Sequence, residues 1–276
     1  MRPDPADPGR AGSLLQHLVA IAVAAVFLVP LLWVVSASLR QPGLAPPRGI
    51  EWVPDPVSFE AYERLTELLP FGRYLLNSVV VVAVAIPVTL VVSSWAGFAI
   101  AQLRDVHRRR LVALAVGLLL VPVTALWLTR YLVFRQLGIL DSLLALIAPA
   151  FMGSSPLFVL LFYWAFRRLP TELADTARLE GAGPFTVWRR VALPLALPTV
   201  VVVALLTFLL YWSDFLGPQL YLRSQELYTL PVGLRQLQTL DRTNWPVLMA
   251  GSIVLAVPAV LVFAVVQRWF LRARVL

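Results

Sequence analysis

Charged residues divide the chain into six long stretches that contain none. These stretches are 19 to 30 residues long, whereas the next longest has 8 residues. They cover residues 11–39, 74–103, 111–129, 142–166, 191–213 and 243–267. An α-helix rises about 1.5 Å per residue, so it needs about 20 residues to cross a hydrocarbon core of about 30 Å. The pattern predicts six transmembrane helices, at 14–38, 75–102, 111–133, 143–166, 192–216 and 248–267.

Two other interpretations of these apolar stretches compete with membrane helices. The first stretch could be a cleaved signal peptide, but its apolar part, Leu14 to Ser38, is too long for a signal core and lacks a small-residue cleavage site. A transmembrane β-barrel would need alternating segments of about 10 residues. Because backbone groups in lipid must be satisfied within the chain, we expect an all-α membrane protein with six spans.

The composition supports this fold class and removes several kinds of chemistry. Charged residues make up 14% of the chain and hydrophobic residues 59%, whereas a soluble domain carries about 25% charged residues. All 23 basic residues are arginine, and the chain has no cysteine. The missing cysteine excludes disulfides, thiolate metal sites and cysteine nucleophiles.

The arginines predict the orientation. With the amino terminus inside, 14 of the 23 arginines lie on the inner segments. This bias predicts that both termini of the multi-pass chain are cytoplasmic. A nucleic-acid surface is not expected, since these arginines flank spans and lack interleaved aromatic residues. The predicted organisation is a cytoplasmic segment 1–13, a six-span domain 14–270 and a cytoplasmic segment 271–276.

Two outer segments, 39–73 and 217–247, are longer than a simple connection requires. In the first, Ser58 is the expected N-cap of a short amphipathic helix whose apolar face contains Phe59, Tyr62, Leu65 and Leu69. This helix could lie on the membrane surface or be an ordinary solvated loop helix. The second outer segment could reach an extracytoplasmic partner.

The inner loop 167–191 carries the sharpest information. It is 25 residues long, whereas a helix connection in a bundle usually needs about 2–8 residues. Thr171 is the expected N-cap of a short helix, Gly181 is expected to end it, and a second helix is expected near Pro184. Pro194 is placed at the start of the fifth span, where a missing amide hydrogen is tolerated. The loop therefore predicts an interaction element made of a helix, a glycine elbow and a second helix.

This loop resembles the EAA motif of ABC importer permeases. The sequence D-T-A-R-L-E-G-A begins at Asp175, and L-P follows at Leu193. The family pattern is E-A-A, two residues, D-G-A and a later L-P. Asp175, Thr176 and Glu180 depart from the pattern, whereas Ala177, Gly181, Ala182, Leu193 and Pro194 match it.

The resemblance extends over nearly the whole chain and is closest to the permease subunits of maltose-type, carbohydrate-uptake importers. It is carried by R-Y-L-L-N-S from Arg73, L-G-I-L-D-S from Leu137, W-S-D-F from Trp212 and L-Y-T-L-P-V-G-L from Leu227. It implies the type I ABC importer permease fold, with a cytoplasmic coupling helix between spans 4 and 5. The implied ATPase-coupling residues are Glu172, Asp175, Ala177, Glu180, Gly181, Ala182 and Phe185.

The resemblance also implies an assembly in the cell (inner) membrane. A second permease subunit would form a heterodimer with this chain, two ABC ATPase subunits would bind ATP and Mg²⁺, and an extracytoplasmic binding protein would deliver the solute. The chain itself has no G-x-x-x-x-G-K-[ST] phosphate loop, so we expect no nucleotide on this subunit. The solute is expected to be a carbohydrate, with a polyol phosphate or a polyamine as alternatives.

Polar and aromatic residues in the spans are candidates for the solute pathway, and they comprise Asn77, Trp212, Ser213, Asp214 and Phe215. A carboxylate facing lipid at mid-bilayer would cost about 2.5–3.5 kcal/mol, so Asp214 is expected to face the bundle or the outer interface. It could line the pathway or cap a helix end. Asn77 could equally serve helix packing, and Trp212 could belong to an aromatic belt.

An intramembrane enzyme is the competing class of function. It would need a nucleophile or a metal constellation in the spans, and the sequence places no Ser/His pair or histidine–carboxylate cluster there. His17 and His107 are isolated in the sequence and are expected at the surface. We therefore expect a transport subunit without catalytic residues or a metal site of its own.

Overall fold

The computed structural model describes residues 10–44, 49, 51–240 and 244–273. Within these residues all regular structure is helical, which confirms the predicted all-α class. Of the predicted terminal segments 1–13 and 271–276, residues 1–9 and 274–276 lie outside the described part of the chain.

The helices are numbered in chain order. The first seven are α1 (Arg10–Ser38), α2 (Glu60–Leu68), α3 (Phe71–Gln102), α4 (Asp105–Leu119), α5 (Leu126–Gln136), α6 (Leu143–Ile147) and α7 (Pro156–Arg167). The others are α8 (Thr171–Leu179), α9 (Pro184–Val187), α10 (Leu193–Leu195), α11 (Leu197–Trp212), α12 (Leu216–Tyr221), α13 (Leu230–Leu240) and α14 (Trp245–Ala273). A π-helical turn, Trp188–Ala192, joins α9 to α10.

Four predicted spans correspond to apolar helical segments that are long enough to cross a membrane. They run over Leu15–Ser38, Phe71–Gln102, Leu143–Arg167 and Trp245–Arg268. Pro87 and Pro258 lie inside α3 and α14. The third of these segments combines α6, a 3₁₀ turn at Ala148–Met152 and α7.

The prediction of one continuous helix over 111–133 is wrong. The chain forms α4, breaks at residues 120–122 and continues through a 3₁₀ turn at Val123–Ala125 into α5. The two halves are bent by 84°. Pro122 lies at this break, where its ring removes a backbone donor and disfavours helical geometry in the preceding residue.

The fifth predicted span, 192–216, is also interrupted. A helical segment over Pro184–Leu195 meets α11 at an angle of 84°, with Ala196 between them. Pro194 therefore lies two residues before Ala196 and does not open the span helix. Pro198 takes that place in the first turn of α11, where its missing amide hydrogen costs no hydrogen bond.

The described chain divides into two compact units. The first contains residues up to Leu69 together with Gln236–Ala256, and the second contains Pro70–Arg235 and the residues from Val257 onward. In the first unit the Trp33 and Trp245 rings lie 5.1 Å apart. The Ser38 hydroxyl lies 2.9 Å from the Tyr62 hydroxyl, which ties the end of α1 to α2.

The amphipathic helix in the first unit differs from its prediction in one respect. Phe59 is the N-cap, and the Ser58 hydroxyl accepts a hydrogen bond of 3.2 Å from the Glu60 amide. Leu65 and Leu69, on the predicted apolar face, are buried, but Phe59 is exposed. Because Leu65 and Leu69 are covered by protein, this face of α2 does not lie open to lipid or water.

The core of the second unit forms around α3, which contacts α7 and α11. Phe98, Phe162 and Phe166 are buried there, and the Phe98 and Phe166 rings meet edge to face at 5.7 Å. Gly97 permits the close approach, because a Cβ at this position would lie 2.8 Å from the Phe162 Cβ. Small residues at such contacts let two membrane helices pack backbone to backbone.

Candidate functional site

The elbow between α8 and α9 follows from the local sequence. Gly181 has a φ of +86°, in the left-handed region that favours glycine. Its amide donates to the Arg178 carbonyl at 2.9 Å, and the Ala182 amide donates to the Ala177 carbonyl at 2.9 Å. These two bonds form a Schellman cap, which satisfies carbonyls that the end of the helix would leave free. The A-x-x-x-G-A spacing of the loop therefore encodes the turn.

The start of α8 differs from the prediction. Pro170 is the N-cap, and Thr171 is the first residue of the helix. Glu172 lies in the first turn, where its negative carboxylate interacts favourably with the helix dipole. The side chain of Thr171 lies outside the described part of the chain.

The predicted coupling residues divide into an outer and an inner set. Those that are exposed are Glu172, Asp175, Glu180, Gly181 and Phe185. Ala177 and Ala182 are partly buried and pack against the core of the second unit. The structure thus exposes carboxylates and an aromatic ring at the elbow, while the two alanines pack against the helical core. The name coupling surface is used below for the exposed set.

Two contacts attach this elbow to α3. Arg178 donates 3.0 Å and 2.6 Å hydrogen bonds to the Asp175 carboxylate and to the Gln102 side chain at the end of α3. The Trp95 ring lies 5.7 Å from Phe185 and 5.1 Å from Trp188. Sequence analysis missed Gln102 and Trp95, since nothing in their local sequence indicates the loop that they contact.

A second candidate site is a cavity of about 360 Å³ at the ends of the two broken spans. Three of the predicted pathway residues, Ser213, Asp214 and Phe215, lie among its lining residues. The side chains of Trp127, Arg130 and Tyr211 complete its polar and aromatic walls, together with Ser154 and Tyr221. The sequence did contain a signal for Arg130, because it is a charge inside the predicted third span.

The Tyr211 side chain is fixed by a chain of hydroxyl groups. Its hydroxyl lies 3.0 Å from the Ser154 hydroxyl, which lies 2.5 Å from the Thr89 hydroxyl on α3. Thr89 is fully buried, and Ser154 has a φ of +60° in the turn before α7. These bonds hold the phenol of Tyr211 in place at the cavity.

Asp214 is both a lining residue and a helix cap. Its Oδ1 accepts a 3.0 Å hydrogen bond from the Gly217 amide in the first turn of α12. Both roles considered from the sequence are therefore compatible with its position.

Asn77 and Trp212 do not line the cavity. The Asn77 amide donates to the carbonyls of Glu226 and Tyr228 at 2.8 and 3.0 Å, which ties α3 to the segment before α13. Trp212 is 4% exposed and stacks on Phe208 at 5.4 Å. The structure therefore favours packing roles for these two predicted pathway residues.

Asp141 joins the loop before α6 to the turn after α12. Its carboxylate accepts hydrogen bonds from the Arg223 and Ser224 amides at 2.9 and 2.8 Å and from the Ser224 hydroxyl at 2.5 Å. These bonds, first of all that of the Ser224 hydroxyl, lower the pKa of Asp141 below its ordinary value. The L-D-S sequence that stood out in the chain thus closes a loop contact.

No metal site accompanies either candidate site. Within residues 10–44, 49, 51–240 and 244–273, no three histidine, aspartate or glutamate side chains are grouped closely enough to hold a metal ion. His17 and His107 are both exposed, in agreement with their predicted surface positions.

Comparison with known proteins identifies the family. Residues 68–274 match the family model described as "Binding-protein-dependent transport system inner membrane component". The arabinooligosaccharides transport system permease protein AraQ of Halalkalibacterium halodurans is 32% identical over 95% of each chain. The sulfoquinovosyl glycerol transport system permease protein SmoH of Agrobacterium fabrum is 26% identical over 93% of this chain and 90% of its own.

A solved structure shares the fold. A chain of a bacterial ABC transporter involved in the import of the acidic polysaccharide alginate superposes with a TM-score of 0.76 at 21% identity. The match covers 98% of this chain and 100% of that one. This chain is a non-enzymatic, multi-pass transport subunit, and it belongs to the family of binding-protein-dependent transport system inner membrane components.

Proposed function

We propose that this chain is the permease subunit of an ABC importer that moves a carbohydrate into the cell. Its family membership provides the transport role, and the names of its relatives favour the solute class. AraQ and SmoH are named for arabino-oligosaccharides and sulfoquinovosyl glycerol, and the structural relative imports alginate. These names do not favour the alternative solutes expected from the sequence, a polyol phosphate or a polyamine.

The proposed assembly contains three kinds of partner. A second permease subunit completes the translocation path, two ABC ATPases dock from the cytoplasm, and an extracytoplasmic binding protein delivers the solute. The ATPases bind ATP and Mg²⁺, since this chain has no phosphate-binding loop. Both termini face the cytoplasm, which places the coupling surface on the same side as the ATPases. The inner location of 14 of the 23 arginines supports this orientation.

The coupling surface suits a docking role because it is exposed and because the hydrogen bonds of the Schellman cap fix its turn. Glu172 and Glu180 lie at opposite ends of α8, and the exposed Phe185 adds an apolar contact. Phe185 is 55% exposed although its ring also contacts Trp95 and Trp188. A partner that covers this ring would gain apolar burial and would press on the aromatic contact with α3.

The attachment of α8 allows a movement to pass into the spans. A cavity of about 300 Å³ is lined by Leu173 and Arg178 of α8 and by Phe98 and Gln102 of α3. Because this space lies under α8, the helix is held chiefly by the Arg178 contacts and by its alanines. A push on the coupling surface therefore reaches α3 through Gln102 and through Trp95.

The left-handed Gly181 is the observation that supports the coupling role of the elbow, and it defines the experiment. Valine at a φ of +86° is strained by about 1–2 kcal/mol, although no atom lies within 4 Å of the added Cβ. Gly181→Val is therefore expected to change the elbow angle without a steric clash. In the complete transporter reconstituted in proteoliposomes, we expect fewer solute molecules imported per ATP hydrolysed, with normal membrane insertion.

Gly183→Val is the matched control. Gly183 also has no atom within 4 Å of an added Cβ, but its φ of −71° and ψ of 165° are accessible to valine. The control should keep the wild-type ratio of import to hydrolysis. If Gly181→Val also kept that ratio, the elbow would not be the coupling element.

The solute class is tested separately with the wild-type transporter. Uptake is measured with an arabino-oligosaccharide, an alginate oligosaccharide, glycerol 3-phosphate and spermidine. Import of one or both oligosaccharides, without import of glycerol 3-phosphate or spermidine, supports the proposal. Import of only glycerol 3-phosphate or spermidine would overturn the carbohydrate assignment.

A further inference from the structure

We infer that the 360 Å³ cavity is a solute subsite for a neutral sugar and that Arg130 determines its specificity. This inference rests on the proposed carbohydrate import. The cavity is at the lower end of the range of about 300–1,000 Å³ that is typical of small-molecule sites. Its lining combines several aromatic rings with a few polar groups, as such sites usually do.

Arg130 is the lining residue whose donors are available. It lies on α5 and is half-buried. Among the described residues, the ion pairs are formed by five other arginines, namely Arg40, Arg64, Arg73, Arg108 and Arg178. The guanidinium has five N–H donors in a fixed fork, which can bind two adjacent hydroxyl oxygens of one sugar ring.

The other lining groups complement a sugar ring. Tyr211 is held by Ser154, so its phenol is pre-organised and loses little freedom when a solute binds. Trp127 and Phe215 supply apolar surface for the C–H face of a pyranose. The Asp214 carboxylate, which accepts from the Gly217 amide, has about four lone-pair sites and so retains acceptor capacity for a sugar hydroxyl.

The balance of charge favours a neutral sugar over an acidic one. Arg130 and Asp214 are the charged side chains among the lining residues, and their formal charges cancel. Sugar hydroxyls can accept from Arg130 and donate to Asp214, so a neutral sugar satisfies both groups. A sugar carboxylate would satisfy Arg130 but would place a second negative charge in the same cavity as Asp214, where like charges repel strongly.

The test uses Arg130→Gln in the complete transporter, with Arg135→Gln as the matched control. Arg135 lies on the same helix and is exposed, and it does not line the cavity. With an arabino-oligosaccharide as the probe, Arg130→Gln is expected to raise the KM of uptake about tenfold or more, because charged hydrogen bonds are lost. The control should leave this KM unchanged, and ATP hydrolysis without solute should be equal in both variants.

A second pair of variants separates recognition from folding. Arg130→Lys keeps the charge but loses the fork, so its KM should fall between those of the wild type and Arg130→Gln. Asp214→Asn keeps an oxygen acceptor for Gly217 and removes the negative charge, so uptake of an alginate oligosaccharide should rise relative to that of the neutral probe. If Arg130→Gln fails to assemble, the Arg130→Lys result decides.

Three outcomes overturn the inference. The first is that Arg130→Gln has the same KM as the Arg135→Gln control. Where Arg130→Gln fails to assemble, the KM of Arg130→Lys is compared with that control instead. The second is a wild-type transporter that prefers the alginate oligosaccharide to the neutral sugar. The third is an Asp214→Asn transporter with an unchanged preference. Each of these leaves carbohydrate import intact, whereas a wild type that imports neither sugar contradicts the proposed function itself.

Discussion

The contact between α3 and α7 at Gly97 makes a quantitative prediction about stability. A Cβ at this position would lie 2.8 Å from the Phe162 Cβ, 2.8 Å from the Tyr163 amide nitrogen and 2.9 Å from the Val159 carbonyl oxygen. An ordinary contact begins at 3.4 Å, so α7 would have to move by about 0.6 Å to admit one methyl group. Two of the three obstructing atoms belong to the backbone and cannot turn aside.

The cost follows from the way in which packed cores respond to added volume. Inserting a methyl group into a well-packed contact typically costs about 1–3 kcal/mol. Alanine regains part of this through its better helix propensity, which is worth about 1 kcal/mol relative to glycine. We therefore expect Gly97→Ala to lower the free energy of unfolding of the second unit by up to about 2 kcal/mol.

The assay is thermal unfolding of the purified chain in detergent, with Gly117→Ala as the matched control. Gly117 lies in α4 and has no atom within 4 Å of an added Cβ, so this control receives the propensity gain without the clash. Gly97→Ala should unfold several degrees below the wild type, and Gly117→Ala at the same temperature or slightly above it. Equal midpoints for the two variants would refute the argument that Gly97 is required for the close approach of α3 and α7.

Two other predictions concern the loops of the second unit. Asn77→Ala removes the hydrogen bonds to the Glu226 and Tyr228 carbonyls and should lower the free energy of unfolding by about 1–3 kcal/mol. The measurement is thermal unfolding, and the comparison variant is Asn77→Asp, which keeps the size of the side chain but not its amide donors. Because the hydrogen bonds of the folded state lower the pKa of Asp141 from 3.8, its contact with Ser224 is at full strength above that value and weakens as the pH falls through the lowered pKa. The measurement is amide hydrogen exchange of residues 222–227 as a function of pH, corrected for its intrinsic pH dependence. Exchange should become faster at low pH in the wild type and not in Asp141→Asn. An identical pH dependence in both proteins would exclude Asp141 as the cause.

The two candidate sites differ in how far the sequence could predict them. The coupling surface is local, since its turn is encoded by the A-x-x-x-G-A spacing that ends in Gly181 and Ala182. Its attachment to the spans is not local. Gln102 lies 76 residues before Arg178 in the sequence, and Trp95 is similarly distant from Phe185. No short-range pattern joins these pairs.

The cavity was only partly visible in the sequence. Asp214 stood out because a charge in an apolar span must face protein or water, and the same reasoning applies to Arg130 in the predicted third span. The sequence could not separate Ser213, Asp214 and Phe215, which line the cavity, from their neighbour Trp212, which stacks on Phe208. Adjacent residues leave a helix end in different directions, and the surrounding helices decide which of them meets open space.

What the sequence determined by itself was the class of structure and the position of its apolar segments. A run of about 20 uncharged residues has few stable forms in lipid other than a helix, so composition and charge spacing were enough for this. Only the tertiary structure decided where two of those segments break, which residues meet across them and what the breaks enclose. Whether a helix can bend, as it does by 84° at residues 120–122 and at Ala196, depends on which neighbouring groups satisfy the backbone polar groups at the break.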